Sequence, residues 1–219
     1  AAVIIFWIYF SVIALILFIL MSVIHFGLCD WSYLGLKKYK WSVSLTHGLN
    51  IVFGIIFFHT NETFEIFTFL SNLSFNQFQE YLYIVYICYF FLLIRYAYLA
   101  IKFTRLRWGI LEMSIILLVI FLTEPLVAFS IYFCFIHTFK HVKSILKDTS
   151  KYLSNNKFIT ITTISFTILT WVGGSLAIIY LHKSFSFDES FIKTLFIGLA
   201  ALTLPHMTLV DIFYRRKFN

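Results

Sequence analysis

The stretch PLVAFSIYFCFIHTFKHV, residues 125–142, decides the fold class of this chain. It is apolar for most of its length and charged only at Lys140, and a helix of roughly 17 to 25 such residues can cross a lipid bilayer. His137 and His141 close the run. Side chains four residues apart share one helical face, with Cβ atoms about 5–6 Å apart, so two imidazoles could reach one metal ion. The stretch therefore predicts a membrane helix that ends in a candidate metal-binding pair.

The composition of the whole chain points the same way. Its 219 residues are 61% hydrophobic and 12% charged, whereas a soluble domain has about 25% charged residues and about 45–50% apolar ones. We therefore expect an all-α fold, a polytopic transmembrane helical bundle. The formal net charge of +7 does not indicate nucleic-acid binding, because that function needs a basic face on a soluble module.

Seven apolar segments are long enough, or nearly so, to cross a membrane. We expect them to form a single domain over residues 1–219. The first segment should contain a break, with residues 1–9 as the tail of an earlier helix and the span itself starting near Ser11. Glu124-Pro125 marks a turn, because proline disfavours helix in the residue before it. The segments are 4–28, 43–59, 81–101, 109–123, 125–142, 158–181 and 190–213.

Basic and acidic connections alternate along the chain, as the positive-inside rule requires of consecutive spans. We therefore expect a cytoplasmic C-terminus and a residue 1 near the outer face. Because the sequence has no initial Met, we also expect one or two further helices to precede it. The basic connections are 31–42, 102–108, 140–157 and 215–217, and the acidic ones are 60–80, Glu124 and 182–190.

Five of the seven histidines fall at the cytoplasmic level of this topology, on four different helices. For a lone histidine, a core position satisfied by a backbone carbonyl is the favoured interpretation. For five at one depth, metal binding is favoured instead, since ionisable groups within spans are rare and generally mark functional sites. The five are His25, His47, His137, His141 and His206.

Carboxylates at the same level could support a metal site. Ligating imidazoles usually donate their other N–H to a carboxylate or carbonyl, and Glu112, Asp30 and Asp211 lie at a suitable depth. We expect these three, with His47 and His206, as additional ligands or outer partners. The alternative for Asp30 and Asp211 is an ordinary helix-end carboxylate in the headgroup region. Imidazole suits zinc, copper, iron and nickel, so ligand type alone leaves the metal open.

Three motifs resemble those of one family of membrane enzymes. IHFGLCDW at 24–31, YFCFIHTFKH at 132–141 and FIGLAALTLPHMTLVD at 196–211 occur in this order between hydrophobic helices. Together they resemble the Brp/Blh family of membrane β-carotene 15,15′-dioxygenases. LTHGLN at 45–50 and the region of Glu112 are similar to family segments as well, so the resemblance covers essentially the whole chain.

The resemblance implies an activity and a site. The activity is oxygen-dependent cleavage of the central 15,15′ double bond of β-carotene into two molecules of all-trans-retinal, which supply a microbial rhodopsin. The site is Fe(II) held by four histidines, three of which fall on His25, His137 and His141. β-Carotene and O₂ are then the substrates, the lipid bilayer is the surrounding medium, and a bacterial inner membrane is the location.

The fourth ligand of the family belongs to a PHGxxD-type motif on an earlier helix, and this sequence contains no such motif. We expect a preceding N-terminal segment to carry it. Otherwise His47 or His206 would have to substitute.

Two other interpretations remain open. A membrane hydroxylase or desaturase acting on a carotenoid or lipid uses several histidine motifs, and seven histidines are few for that purpose. A non-enzymatic retinoid or carotenoid carrier needs no metal, but a rhodopsin-like carrier needs a mid-span lysine in its last helix, and Lys193 lies at the outer end. Metal analysis separates the enzymes from a carrier, and product analysis separates cleavage from hydroxylation.

Overall fold

The computed structural model describes residues 2–31, 37–71, 75–143 and 156–218. These residues form helices joined by short turns, and none of them lies in a β-strand, so the predicted all-α class is confirmed. Helix α7 contains a π-helical stretch, Tyr132–Thr138. The helices are α1 (Ala2–Tyr9), α2 (Ser11–Asp30), α3 (Lys40–Phe58), α4 (Thr60–Ser71), α5 (Phe75–Lys102), α6 (Arg105–Leu122), α7 (Pro125–Lys143), α8 (Asn156–Leu181) and α9 (Phe187–Phe218).

Six helices in the described part of the chain are long and apolar enough to cross a membrane. The segment predicted as the fourth of about seven spans, 109–123, lies in α6. Helix α6 is not among these six helices, because its 18 residues include the charged side chains of Arg105, Arg107 and Glu112. These six candidate spans are Ser11–Asp30, Lys40–Phe58, Leu82–Lys102, Pro125–Lys143, Thr160–Leu181 and Phe187–Met207.

The helices do not all correspond one to one with the predicted spans. The predicted break in the first segment is confirmed, because α1 ends at Tyr9 and α2 begins at Ser11. The connection predicted over 60–80 is largely helical, since α4 runs from Thr60 to Ser71 and α5 already begins at Phe75.

The chain divides into two compact units, which are described separately here. The predicted single domain over residues 1–219 stays a prediction. The terminal unit comprises Ala1–Leu15, Phe69–Asn72 and Lys147–Asn219, and the central unit comprises Ile16–Thr68 and Leu73–Leu146.

In the terminal unit, α9 packs against α1 and α8. The Trp7 indole N–H donates a hydrogen bond to the carbonyl oxygen of Leu70 at 3.0 Å. The Ser11 hydroxyl donates to the carbonyl oxygen of Ser71 at 3.3 Å. These bonds tie the first two helices to the end of α4.

Helix α3 lies at the centre of the central unit, where it packs against α5, α6 and α7. Two glycines let α2 and α3 cross in backbone contact. A Cβ atom at Gly27 would overlap the carbonyl of Ser44, and a Cβ atom at Gly48 would overlap the carbonyl of Val23. Small residues are the usual means by which membrane helices approach this closely. The crossing fixes the C-terminal end of α2 against α3.

The central unit buries several polar side chains beside its apolar core and exposes many large apolar ones. Thr46, His47 and Asn50 of α3 are at most 1% exposed, whereas Phe135 is 75% and Ile101 74% exposed. Apolar surface exposed to water costs about 25 cal/mol per Å², and monomeric soluble proteins rarely display large apolar patches. The outward-facing apolar side chains are therefore suited to lipid, which supports the assignment as a membrane protein.

Candidate functional site

Three of the predicted ligands meet in the central unit. The ring centroids of His25 on α2 and His137 on α7 lie 5.1 Å apart, with the ring planes at 65°. The rings of His137 and His141 lie 5.9 Å apart, with planes 6° from parallel. His25 and His137 are each only 5% exposed. The structure thus brings the three imidazoles into one group, which we call the histidine cluster (His25, His137 and His141).

The buried carboxylate beside this cluster belongs to Asp30, the last residue of α2. His137 Nδ1 lies 2.9 Å from Asp30 Oδ1 and 3.2 Å from Oδ2. The hydroxyl of Tyr132 donates a hydrogen bond to the same carboxylate. An imidazole that donates from Nδ1 to a carboxylate keeps Nε2 available for a metal ion. Asp30 is therefore placed to fix both the tautomer and the orientation of His137.

The π-helical stretch of α7 explains how two side chains reach this one carboxylate. Tyr132 and His137 are five residues apart, and in an α-helix such residues point about 140° away from each other. A π-helix makes hydrogen bonds between residues five apart, so Tyr132 and His137 come onto one face. The sequence spacing predicted an ordinary α-helix here, and the wider turn of Tyr132–Thr138 corrects it. Such turns occur frequently at functional sites.

Aromatic and sulfur-containing side chains surround the cluster. The ring centroid of Phe26 lies 5.0 Å from that of His137, and the centroid of Phe133 lies 5.4 Å from it. Cys29 Sγ lies 3.5 Å from His25 Nδ1, one turn further along α2. Among the described residues, two aromatic rings therefore pack against His137 and a thiol lies beside His25.

His47 makes a different set of contacts. Its ring stacks on Trp31, with centroids 3.4 Å apart and planes at 14°. Its Nε2 lies 3.0 Å from the hydroxyl oxygen of Tyr96, and the Tyr96 hydroxyl donates to the carbonyl oxygen of Leu106 at 3.3 Å. His47 is 0% exposed, and its Nδ1 has no hydrogen-bond partner among the residues that the structure describes. Its role as an additional ligand stays a prediction.

Glu112 reaches the end of α2 through a lysine. Its carboxylate forms an ion pair with Lys140 of α7, and the two side chains are 27% and 29% exposed. Lys140 Nζ also donates to the carbonyl oxygen of Asp30 at 3.3 Å and lies 4.4 Å from the centre of the Trp31 ring. Lys140 therefore joins α6 and α7 to the end of α2.

The two remaining predicted residues belong to α9 and to the terminal unit. His206 is a partly buried residue of α9, and it belongs to the terminal unit. The side chain of Asp211 lies outside the residues whose side chains are described. Their roles as additional ligands or outer partners stay predictions.

The donor chemistry of the histidine cluster fits an iron ion. Neutral imidazole nitrogen is a suitable ligand for iron, and the His137–Asp30 pair is the usual outer arrangement of a ligating histidine. Among the described residues, no three His, Cys, Asp or Glu side chains are close enough together, as they stand, to hold one metal ion. The cluster therefore supplies donors of the right type without forming a closed cage.

Sequence reasoning missed the residues that connect the cluster to its neighbours. Lys140 was counted among the basic residues of a connection, and Tyr132 and Trp31 were not singled out. Asp30 was considered beside His25, five residues earlier, whereas its partner is His137 of another helix. The signal available in the sequence for Lys140 was its position three residues after His137, which places both on one helical face.

Comparisons with known proteins agree with the resemblance of the motifs. The model of the β-carotene 15,15′-dioxygenase family matches residues 1–214. A curated relative named β-carotene 15,15′-dioxygenase, from uncultured marine bacterium 66A03, is 29% identical over 209 residues, which cover 95% of this chain and 75% of the relative. No solved structure matches the chain.

Proposed function

The chain belongs to the β-carotene 15,15′-dioxygenase family, a family of carotenoid-cleaving enzymes, and on that premise we propose that it cleaves β-carotene itself. The reaction breaks the central 15,15′ double bond with O₂ and yields two molecules of all-trans-retinal. The observation that carries the proposal is the meeting of His25, His137 and His141 beside a buried carboxylate. Ionisable side chains within a membrane bundle cost free energy and generally mark functional sites, and here three imidazoles are buried or partly buried together.

The cofactor we propose is Fe(II), held by the three imidazoles of the histidine cluster together with further ligands. Bound iron would supply the activation of O₂, which the side chains of the protein cannot perform alone. The role of the chain is to present nitrogen donors in fixed tautomers. The hydrogen bond between His137 Nδ1 and Asp30 Oδ1, at 2.9 Å, supports this role because it leaves Nε2 of His137 for the ion.

The apolar rings beside the cluster are suited to the substrate. Phe26 and Phe133 lie against His137 and would keep water away from it. A dry site strengthens the electrostatic interactions of the imidazoles and the Asp30 carboxylate. It also suits a polyene hydrocarbon, which has no polar group along its conjugated chain to hydrogen-bond.

The membrane surroundings complete the proposal. β-Carotene and retinal both dissolve in lipid, and the exposed surface of the spans is rich in large apolar side chains. Substrate and product could therefore enter and leave through the bilayer. We place the protein in a bacterial inner membrane with its C-terminus in the cytoplasm, on the basis of its charged connections, and its retinal would supply a microbial rhodopsin.

The experiment that tests the proposal measures retinal by chromatography in bacteria engineered to accumulate β-carotene. The parent protein is expressed beside His137→Ala and beside His182→Ala, a matched control on an exposed histidine after α8. We expect retinal with the parent and the control and none with His137→Ala, at equal amounts of protein in the membrane. Hydroxylated carotenoid would instead indicate a hydroxylase, and unchanged β-carotene with metal-free parent protein would indicate a carrier.

A further inference from the structure

Lys140 contacts a carboxylate of α6 and two groups at the end of α2. Its ammonium group forms an ion pair with the carboxylate of Glu112. It donates a hydrogen bond to the carbonyl oxygen of Asp30 at 3.3 Å. It also lies over the ring of Trp31, 4.4 Å from the centroid. An ammonium group has three N–H donors and no acceptor, so these partners match what lysine can offer.

The carbonyl of Asp30 is a group that needs a donor. The last four C=O groups of a helix have no partner within that helix, and Asp30 is the last residue of α2. Cationic side chains near a helix C-terminus bond these carbonyls and interact favourably with the helix dipole. Here the cation comes from α7, the helix that also carries His137 and His141.

Trp31 is also held by a residue of α3. The ring of His47 stacks on the indole at 3.4 Å, and the hydroxyl of Tyr96 holds His47 at 3.0 Å. Because Trp31 directly follows Asp30, the contacts of the indole with His47 and Lys140 also help to fix the backbone of Asp30. This contact gives His47 a role other than that of a ligand.

We propose that Lys140 is a positioning residue, with Glu112 as its counter-ion, that holds the Asp30 carboxylate against His137. By doing so it also sets the distance between His25 on α2 and the histidine pair on α7. The part of this inference that concerns iron binding rests on the proposed function. The contrary interpretation is a peripheral ion pair of little consequence, as exposed pairs usually are. The bond to the Asp30 carbonyl and the contact with Trp31 argue against it, because a peripheral pair has no need of either.

The test compares four variants with the parent, all as full chains in detergent or lipid. Lys140→Met keeps the length of the side chain and removes its charge and donors. Lys140→Arg keeps a cation with several donors that can stack on Trp31. Glu112→Gln removes the negative charge of the counter-ion but keeps an acceptor oxygen. Lys143→Met is the matched control, since Lys143 is an exposed residue of the same helix.

Two measurements are made on each variant. The first is hydrogen exchange, by mass spectrometry, of peptides covering residues 24–31 in metal-free protein. It reports how tightly the end of α2 is held and does not depend on iron. The second is the affinity for Fe(II), by competition with a chelator. Outer partners of metal ligands typically contribute 10–100-fold to metal affinity.

We expect Lys140→Met to speed exchange over 24–31 and to weaken iron binding about 10–100-fold. Lys140→Arg should restore most of both, Glu112→Gln should give a smaller change in the same direction, and Lys143→Met should match the parent. Parent-like exchange and iron affinity in Lys140→Met would overturn the inference. If the parent itself bound no iron, the proposed function would fail, and the exchange data would still decide whether Lys140 holds the end of α2.

Discussion

Polar side chains find hydrogen-bond partners in two different ways in helix α8 and in the group formed by α2, α3 and α7. Both place polar side chains in a surrounding that offers no water. On α8, the hydroxyls bond back to their own helix: Thr167 donates to the carbonyl oxygen of Thr163 at 2.9 Å, and Thr170 donates to that of Phe166 at 2.8 Å. Beside the histidine cluster, Tyr132 and His137 of α7 instead bond to the carboxylate of Asp30 on α2.

This difference separates tolerated polar residues from functional ones. A hydroxyl that bonds within its own helix is satisfied whatever the neighbours do. A carboxylate or imidazole that depends on another helix is satisfied only when both helices are in place, and breaking such a buried pair is costly. Polar side chains partnered across helices should therefore be sensitive to substitution, and those of α8 should not.

The largest effect is expected from removing a member of the histidine cluster. His25→Ala should weaken Fe(II) binding by more than about 100-fold, since it removes a proposed ligand and not merely an outer partner. The measurement is iron bound per chain after purification, checked by chelator competition. His182→Ala serves as the control. Equal iron in His25→Ala and the parent would exclude His25 as a ligand.

Asp30→Asn is expected to have the next largest effect. It keeps the shape of the side chain and an acceptor for His137 Nδ1 but removes the negative charge, so iron affinity should fall about 10–100-fold. Asp188→Asn is a matched control, because Asp188 is exposed in the first turn of α9. An unchanged affinity in Asp30→Asn would mean that the carboxylate serves packing alone.

The close crossing of α2 and α3 predicts an effect on stability. Gly27→Ala places a methyl group against the carbonyl of Ser44 and should destabilise the protein by about 1–3 kcal/mol, as overpacking does. Gly173→Ala on α8 meets nothing within 4 Å and should be neutral or stabilising by up to about 1 kcal/mol, since alanine favours helix over glycine. Melting temperatures in one detergent compare the two. A lower melting temperature for Gly173→Ala than for Gly27→Ala would contradict the packing of α2 on α3.

A smaller effect is expected at the buried amide of α3. The hydroxyl of Tyr89 donates to Asn50 Oδ1 at 2.6 Å, and Tyr89→Phe leaves that oxygen without this donor, at a cost of about 1–3 kcal/mol. Tyr83→Phe removes an exposed hydroxyl of the same helix and should change stability by less than about 0.5 kcal/mol. Thermal unfolding of both variants makes the comparison, and equal shifts would show that the hydrogen bond contributes nothing.

Much of the fold could be predicted from the sequence, because span length and charge alternation are strong signals in membrane proteins. The sequence predicted both the break before Ser11 and the all-α class. The fourth predicted span, 109–123, lies in a less apolar helix than the sequence indicated. That helix begins at Arg105 and so includes the arginines that the prediction had assigned to a connection. The helical character of 60–71 gave no apolar signal strong enough to be noticed.

The grouping of His25, His137 and His141 could be predicted from the sequence, whereas the contacts of their neighbours could not. The spacing of His137 and His141 is a local pattern, and their proximity to His25 followed from equal depth. The partners of Asp30 could not be foreseen, because they depend on a π-helical turn that brings Tyr132 and His137 to one face. The Lys140 contacts depend on how three helices pack, and no local spacing encodes that packing.

The central claim is that this protein cleaves β-carotene at its centre through the cluster on α2 and α7. Its most direct test uses purified protein, added Fe(II), O₂ and β-carotene, and counts the retinal formed per β-carotene consumed. The claim predicts two retinal molecules for each β-carotene, with none formed by His25→Ala or His137→Ala in folded protein. Retinal formed undiminished by those variants, or β-carotene left intact by the iron-loaded parent, would contradict it.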